Sequence, residues 1–357
     1  MSSVSRRDLL RTVLCSSLTG IVSGTLSAAE QPAPRTRLGL VAYCLGLRQK
    51  SLRAGDAGVD LYEPTTFLTH ADALGAGGVQ VSLGRLSSEH AAALRKQCAE
   101  REMFLEGIIQ LPKMSAELER FEAEMRAAVS AGARAMRCVL LPGRRYEQFR
   151  SLEEFHAAER VGRAAIERAA PIAEQLQLPL AIENHKDHRD GERLRLLEAL
   201  SSEYVGVCLD TGNSLALLED PLSTVRAFAP WAHAVHLKDQ AVAPDPDGFL
   251  LGDIPLGGGC LHLPAMLSIL QAAKPGLPVC LELITRDPLR VPCLREGYFA
   301  TLPDLPATEL ARTLRMVQQN AQPAMPRVSQ LPLAEQVAME TRQVELSLKY
   351  ARERLGL

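Results

Sequence analysis

Short apolar and β-branched runs recur along the chain, separated by longer stretches in which apolar positions return every three or four residues. The runs predict eight strands: 37–45 (RLGLVAYCL), 78–83 (GVQVSL), 103–111 (MFLEGIIQL), 135–141 (AMRCVLL), 178–184 (LPLAIEN), 205–211 (VGVCLDT), 232–239 (AHAVHLKD) and 278–284 (PVCLELI). Helical spacing fills 87–102, 116–132 and 151–177 between them. Ser151 followed by Glu154 reads as a capping box, and Pro171 predicts a kink or a division into two helices.

Near-continuous apolar strands alternating with helices require a parallel sheet covered on its outer face. Eight such units closing on themselves give an α/β fold of the (β/α)8 TIM-barrel type. An open doubly wound sheet is the competitor, but no G-x-G-x-x-G turn follows the first strand. The reading assigns 35–322 to the barrel and 323–357 to a C-terminal helical extension. That amphipathic tail is expected to pack on the barrel or on a second subunit.

The N-terminus differs from the rest. SRRDLLR, Ser5 to Arg11, sets twin arginines before a weakly apolar run that ends in small residues near Ala28 and Ala29. Residues 1–29 therefore read as a twin-arginine-type export signal, and the mature protein as periplasmic or otherwise exported. Without use of the signal the protein would be cytoplasmic. A formal charge of -2 and 4% aromatic residues give no footprint for nucleic acid, and no membrane partner is expected for the mature form. Of eight cysteines none forms a C-x-x-C pair, and most sit in apolar runs, so they read as small core hydrophobes.

In a barrel the C-terminal strand ends converge on one mouth, where chemistry resides. Those ends carry Glu183 and His185 on strand five, Asp210 on strand six, His236 and Lys238 on strand seven, and Glu282 on strand eight. Any one of them has an ordinary structural explanation, such as an Asx-turn at Asp210. Three converging carboxylates are harder to explain, because burying an unpaired ion costs several kcal/mol. Protonation or Lys238 would relieve part of the charge. A divalent cation would relieve all of it, and three oxygens with one imidazole suit Mn²⁺, Mg²⁺, Co²⁺ or Zn²⁺. The expectation is that a metal neutralises Glu183.

AIENH, CLDTGN, VHLKD and CLELI, in that order on strands five to eight, resemble the motifs of the xylose-isomerase-like TIM-barrel superfamily of sugar isomerases and epimerases. The likeness spans roughly residues 37 to 320. It implies that Glu183, Asp210, His236 and Glu282 bind one divalent metal. It further implies that Glu183 and Glu282 serve as acid and base on opposite substrate faces, through an enediolate. The substrate is then a small sugar, keto-sugar or sugar acid. Where tagatose-type epimerases carry histidine and arginine, this chain has Asn213 and Val242, and its HLKD form is more like the inosose dehydratase and hydroxypyruvate isomerase branches.

Isomerisation or epimerisation is the leading outcome. A lyase acting on a 3-keto-glycoside or keto acid by the same chemistry is the alternative, and a non-catalytic sugar-binding barrel is the third. Endonuclease IV shares this barrel, but strands two and three offer none of the histidines its zinc site needs. Substrate contacts are assigned to His185, Asn213, Lys238, Arg286 and Glu106. Lys238 alternatively pairs with Asp239 or Asp210, Arg286 with Asp287, and Glu106 with Arg137. Residues 247–264, ending in three glycines, read as a lid or rim loop, and 284–299 as a second loop over the same face. Barrel relatives often dimerise, so a homodimer is allowed.

Overall fold

The computed structural model describes residues 34–357, so the expected export signal lies outside the described residues. Eight strands close a parallel barrel: β1 (Leu38–Val41), β2 (Gly78–Ser82), β3 (Phe104–Ile108), β4 (Met136–Cys138), β5 (Leu180–Glu183), β6 (Val205–Asp210), β7 (Ala232–Leu237) and β10 (Val279–Leu281). β1 pairs with both β2 and β10, which closes the ring. The strands are shorter than the apolar runs that predict them; the first run, for example, passes after Val41 into a short 3-10 helix, Ala42–Leu45.

Close approach of backbones explains one glycine directly. A Cβ on Gly206 would lie 2.2 Å from the Trp231 carbonyl oxygen, so only glycine lets β6 run beside the turn that enters β7. The helices supply the outer layer. Ser87 and Ser151 cap Ser88–Glu100 and Leu152–Leu176, each accepting a backbone N–H three residues on. Glu154 reaches back to the Arg150 amide rather than to Ser151, so the expected capping box is only half formed. Pro171 lies within a single helix, Leu152–Leu176, rather than dividing it. The apolar stripe of that helix, including Phe155, Ile166, Ala169 and Ala173, is buried on the barrel and outweighs one lost backbone bond.

Two additions frame the mouth. β8 (Asp239–Asp245), β9 (Gly248–Ile254) and β11 (Leu289–Val291) form a separate antiparallel sheet. The expected loops over 247–264 and 284–299 are therefore corrected in part to strands. Asp245-Pro246-Asp247-Gly248 is the hairpin turn, with the Asp245 carboxylate accepting the Asp247 N–H at 3.1 Å. Val242, Phe249, Leu251 and Val291 bury one face of this sheet against Leu215, Leu217, Tyr298 and Leu302, a second small core beside the main one.

The C-terminal extension supplies the other addition. Helix Leu333–Tyr350 adds Val344 and Leu348 to the main core. Its Glu340 carboxylate accepts the Leu47 and Arg48 amides at 2.6 and 2.9 Å, capping helix Gly46–Arg53 from nearly 300 residues away. Among the described residues the seven cysteines are free thiols, all but Cys260 buried. No described helix is long and apolar enough to cross a membrane.

Candidate active site

Strand register assembles the site. Glu183 is the last residue of β5 and Asp210 the last of β6. His236, one residue before the end of β7, pairs in register with Asp210 on one side and Cys280 on the other. Glu282 follows β10 directly. Glu183, Asp210 and His236 are 0% exposed and Glu282 is 6% exposed. One ligand atom from each lies within 4.8 Å of the others, a grouping that can hold a metal ion.

The donor chemistry fits a divalent cation at one informative atom. His236 Nε2 lies 2.7 Å from Gln80 Oε1, and Gln80 Nε2 donates to Glu106 Oε2 at 2.8 Å. Glu106 thus orients the Gln80 amide, whose oxygen takes the imidazole N–H. That leaves the Nδ1 lone pair facing the carboxylates, the usual outer-shell arrangement behind a metal-ligating histidine. His236 Nδ1 stands 3.5 Å from Glu282 Oε2 and 3.7 Å from Glu183 Oε2, and it is buried without a hydrogen bond.

The charge balance differs from the expectation. Glu183 is neutralised by protein: Arg137 on β4 donates to Glu183 Oε2 through Nε at 2.6 Å and also through Nη2. Lys238 Nζ lies 2.8 Å from both Asp210 Oδ2 and Glu282 Oε2. Two cations therefore face three carboxylates. A metal is not required to make burial of Glu183 tolerable, so the case for a metal rests on the donor geometry instead.

The electrostatics follow from these pairs. Burial pushes the Glu183 carboxyl up, but the Arg137 charge prevails and holds it below its usual range. Burial likewise opposes ionisation of Glu282, and Lys238 and His236 override it, holding that carboxyl well down. Asp210 moves the other way, to about 6, because burial and its acidic neighbours outweigh Lys238. His236 is raised: burial disfavours its cation, yet Glu282 and Glu183 favour it more. Burial lifts Glu106 to about 7.

The Asp210 side chain performs two tasks. Its Oδ1 accepts the Gly212 and Asn213 amides at 2.9 Å each, an Asx-turn, while Oδ2 faces Lys238. Asn184 fixes the same strand end, its Oδ1 accepting the Asp210 N–H at 2.7 Å and its Nδ2 donating to the Asp210 carbonyl at 3.0 Å. Asn213 joins the cluster through Nδ2, which donates to Glu183 Oε1 at 3.1 Å.

Of the residues assigned to substrate, Asn213 and Lys238 lie in the cluster, and His185 stands beside it with a buried, unpartnered Nδ1. Two are placed otherwise. Glu106 is 1% exposed in mid-strand, pairing in register with Gln80 inside the barrel, and its Oε2 accepts from the Gln80 amide behind His236. Arg286 lies at the rim, 3.6 Å from Asp253 on β9, and Asp287 turns away to Ser329. Sequence reading missed Gln80, Lys186 and Asp253 and gave Arg137 the wrong partner. An arginine within the apolar run AMRCVLL was the available signal, since a buried strand tolerates one only when it is paired.

Comparison with known proteins agrees with this architecture. A family profile described as xylose isomerase-like TIM barrel matches residues 68–313. A curated 3-oxo-isoapionate decarboxylase of Pectobacterium atrosepticum is 32% identical over 98 residues, which is 27% of this chain and 36% of that protein. A D-psicose 3-epimerase solved in the presence of D-fructose superposes with a TM-score of 0.56 at 14% identity, covering 90% of this chain and 100% of the epimerase. A 3-keto-D-glucoside 4-epimerase from E. coli gives a TM-score of 0.51 at 12% identity, covering 80% and 100% of the two chains. At such identities the structural likeness speaks to fold.

Proposed function

The chain belongs to the xylose isomerase-like TIM-barrel family, and on that footing we propose that it is a divalent-metal-dependent isomerase or epimerase of a small sugar, keto-sugar or sugar acid, working through an enediolate. The observation that carries this reading is the convergence of Glu183, Asp210, His236 and Glu282 within 4.8 Å, with His236 Nδ1 left free by the Gln80 contact. These four would hold the ion, which when bound polarises a carbonyl and stabilises negative charge on adjacent oxygens.

The chain's own groups supply proton transfer. Glu183, kept ionised by Arg137, is the base that removes the proton beside the carbonyl. Glu282, contributed by a different strand, is the group that handles the proton on the other face. Burial of all four side chains excludes water, which protects the intermediate and strengthens each charge interaction. Fold similarity alone would not select this chemistry.

A lyase outcome is the second reading, and Lys238 favours it. Its ammonium, 2.8 Å from Glu282, is placed to protonate a departing oxygen once the α-proton is gone. The similarity to a decarboxylase supports the same reading.

Proton NMR in D₂O tests both. The metal-loaded protein, with and without EDTA, is incubated with free ketoses, keto acids and 3-keto-glycosides. Deuterium entry beside the carbonyl that disappears with EDTA and in Glu183→Gln is the expected result, and the product separates isomerase from lyase. Exchange that persists undiminished in EDTA would sink the metal-dependent reading.

A further inference from the structure

Among the described residues, one charged side chain in the mouth touches no carboxylate. Lys186 is 6% exposed, and its Nζ donates to Asn213 Oδ1, a neutral acceptor. The same Oδ1 lies 3.5 Å from Lys238 Nζ, so two ammonium groups converge on one amide oxygen. The nearby acids Asp210 and Asp253 are already engaged, Asp210 by Lys238 and Asp253 by Arg286. A buried ammonium without an anion is costly, and such a group persists where structure or function holds it.

The backbone holds it. Lys186 has a φ of 70°, a left-handed conformation unusual for a residue other than glycine or asparagine. The turn is pinned on both sides: the Arg145 N–H donates to the Lys186 carbonyl at 3.0 Å, and Asp187 is paired with fully buried Arg193 at 2.9 Å. The fold thus fixes a strained residue in place and directs its charge toward the metal-type cluster, where Asn213 links it to Glu183.

We propose that Lys186 is a specificity residue which, with Lys238, binds the carboxylate of a small hydroxy or keto acid, so that the substrate of this barrel is a sugar acid and not a neutral sugar. This inference rests on the sugar-directed reading above and narrows it. An incoming carboxylate supplies the missing anion, accepts from both ammonium groups, and takes the place of Asn213 Oδ1 between them. A neutral polyol offers no such compensation and leaves Lys186 unpaired.

Calorimetric titration of the full chain with D-erythronate and D-gluconate, against erythritol and D-glucitol, tests the proposal. The acids should bind at least about thirtyfold more tightly than the polyols, the scale for a buried charge pair. Lys186→Met should remove that preference, Lys186→Arg should keep most of it, and binding of the polyols should not change. Lys186→Met removes an ammonium whose one contact is an amide oxygen, so the variant should fold with a Tm close to that of the parent. Acids binding no better than polyols would overturn the proposal, as would a Lys186→Met protein of lowered Tm and unchanged acid binding. A parallel Mn²⁺ titration separates the two readings. Mn²⁺ affinity in Lys186→Met equal to or above that of the parent is expected, because a positive charge near the cation site is removed, and failure of the parent to bind Mn²⁺ would overturn metal dependence while leaving the acid comparison to decide the lysine.

Discussion

Arg137 and Glu183 meet side by side on neighbouring strands, with Arg137 Nε 2.6 Å from Glu183 Oε2 and both side chains buried. The pairing follows from the β4–β5 ladder, in which Arg137 is in register with Ala181, two residues before Glu183. Both residues belong to the barrel wall, so the ion pair is part of the fold as well as of the site.

Arg137→Met should be strongly destabilising, by about 3–5 kcal/mol, because it leaves a buried carboxylate without its partner. Urea unfolding measures this directly. Added Mn²⁺ should recover part of the loss if the cation takes over neutralisation of Glu183. A loss below about 1 kcal/mol would mean that Glu183 is already relieved by protonation or by another cation.

Gln80→Leu tests the support behind His236. The substitution removes the acceptor that fixes the imidazole tautomer, and it strands the Glu106 carboxyl. Metal affinity should fall by about 10–100-fold. Equal Mn²⁺ affinity in parent and variant, read by calorimetry, would show that the tautomer is set without Gln80.

Glu159 gives a pH signature away from the mouth. Its carboxyl is lowered to about 2, first by the His188 ring, whose Nε2 lies 3.1 Å from Oε1, and further by His156, with burial working against them. A folded value below the unfolded one of 4.5 contributes stability that is complete above that value and is lost as pH falls from there toward about 2. The Tm difference between parent and Glu159→Gln should therefore be full near pH 5 and shrink steadily in acid below that. A gap that does not change with pH would exclude a charge-based contribution.

Glu340→Ala should release the cap on helix Gly46–Arg53 and cost roughly 1–2 kcal/mol. Hydrogen exchange should quicken at the Leu47 and Arg48 amides. Unchanged protection there would mean that the Glu340 carboxylate does not cap that helix.

The barrel was legible in the chain because its signal is local and repeated: apolar runs of strand length between helical stretches leave few architectures open. The four ligand-type residues were legible for a related reason. Each ends a run that must be buried, so a charged group there stands out, and parallel register then brings the four ends together. The hairpin around Asp245-Pro246-Asp247-Gly248 was not legible in the same way, because its strands lie outside the barrel alternation, and 247–264 reads as loop.

Sequence alone identified Glu183, Asp210, His236, Lys238 and Glu282 as the ionisable groups at the ends of strands five to eight. Tertiary structure decided which charges meet. The sequence offers Arg137 as an alternative partner for Glu106, but the stagger of β4 against β5 delivers it to Glu183, and Gln80 takes Glu106 instead. Lys186 gave no signal at all, since a lysine after Glu-Asn-His reads as solvent-facing. Its burial goes with a left-handed turn pinned by Arg145, from a distant segment, and by the Asp187–Arg193 pair close by in the chain. Local pattern fixes the type and order of elements; ion-pair partners depend on distances of a few ångström that only the closed barrel defines.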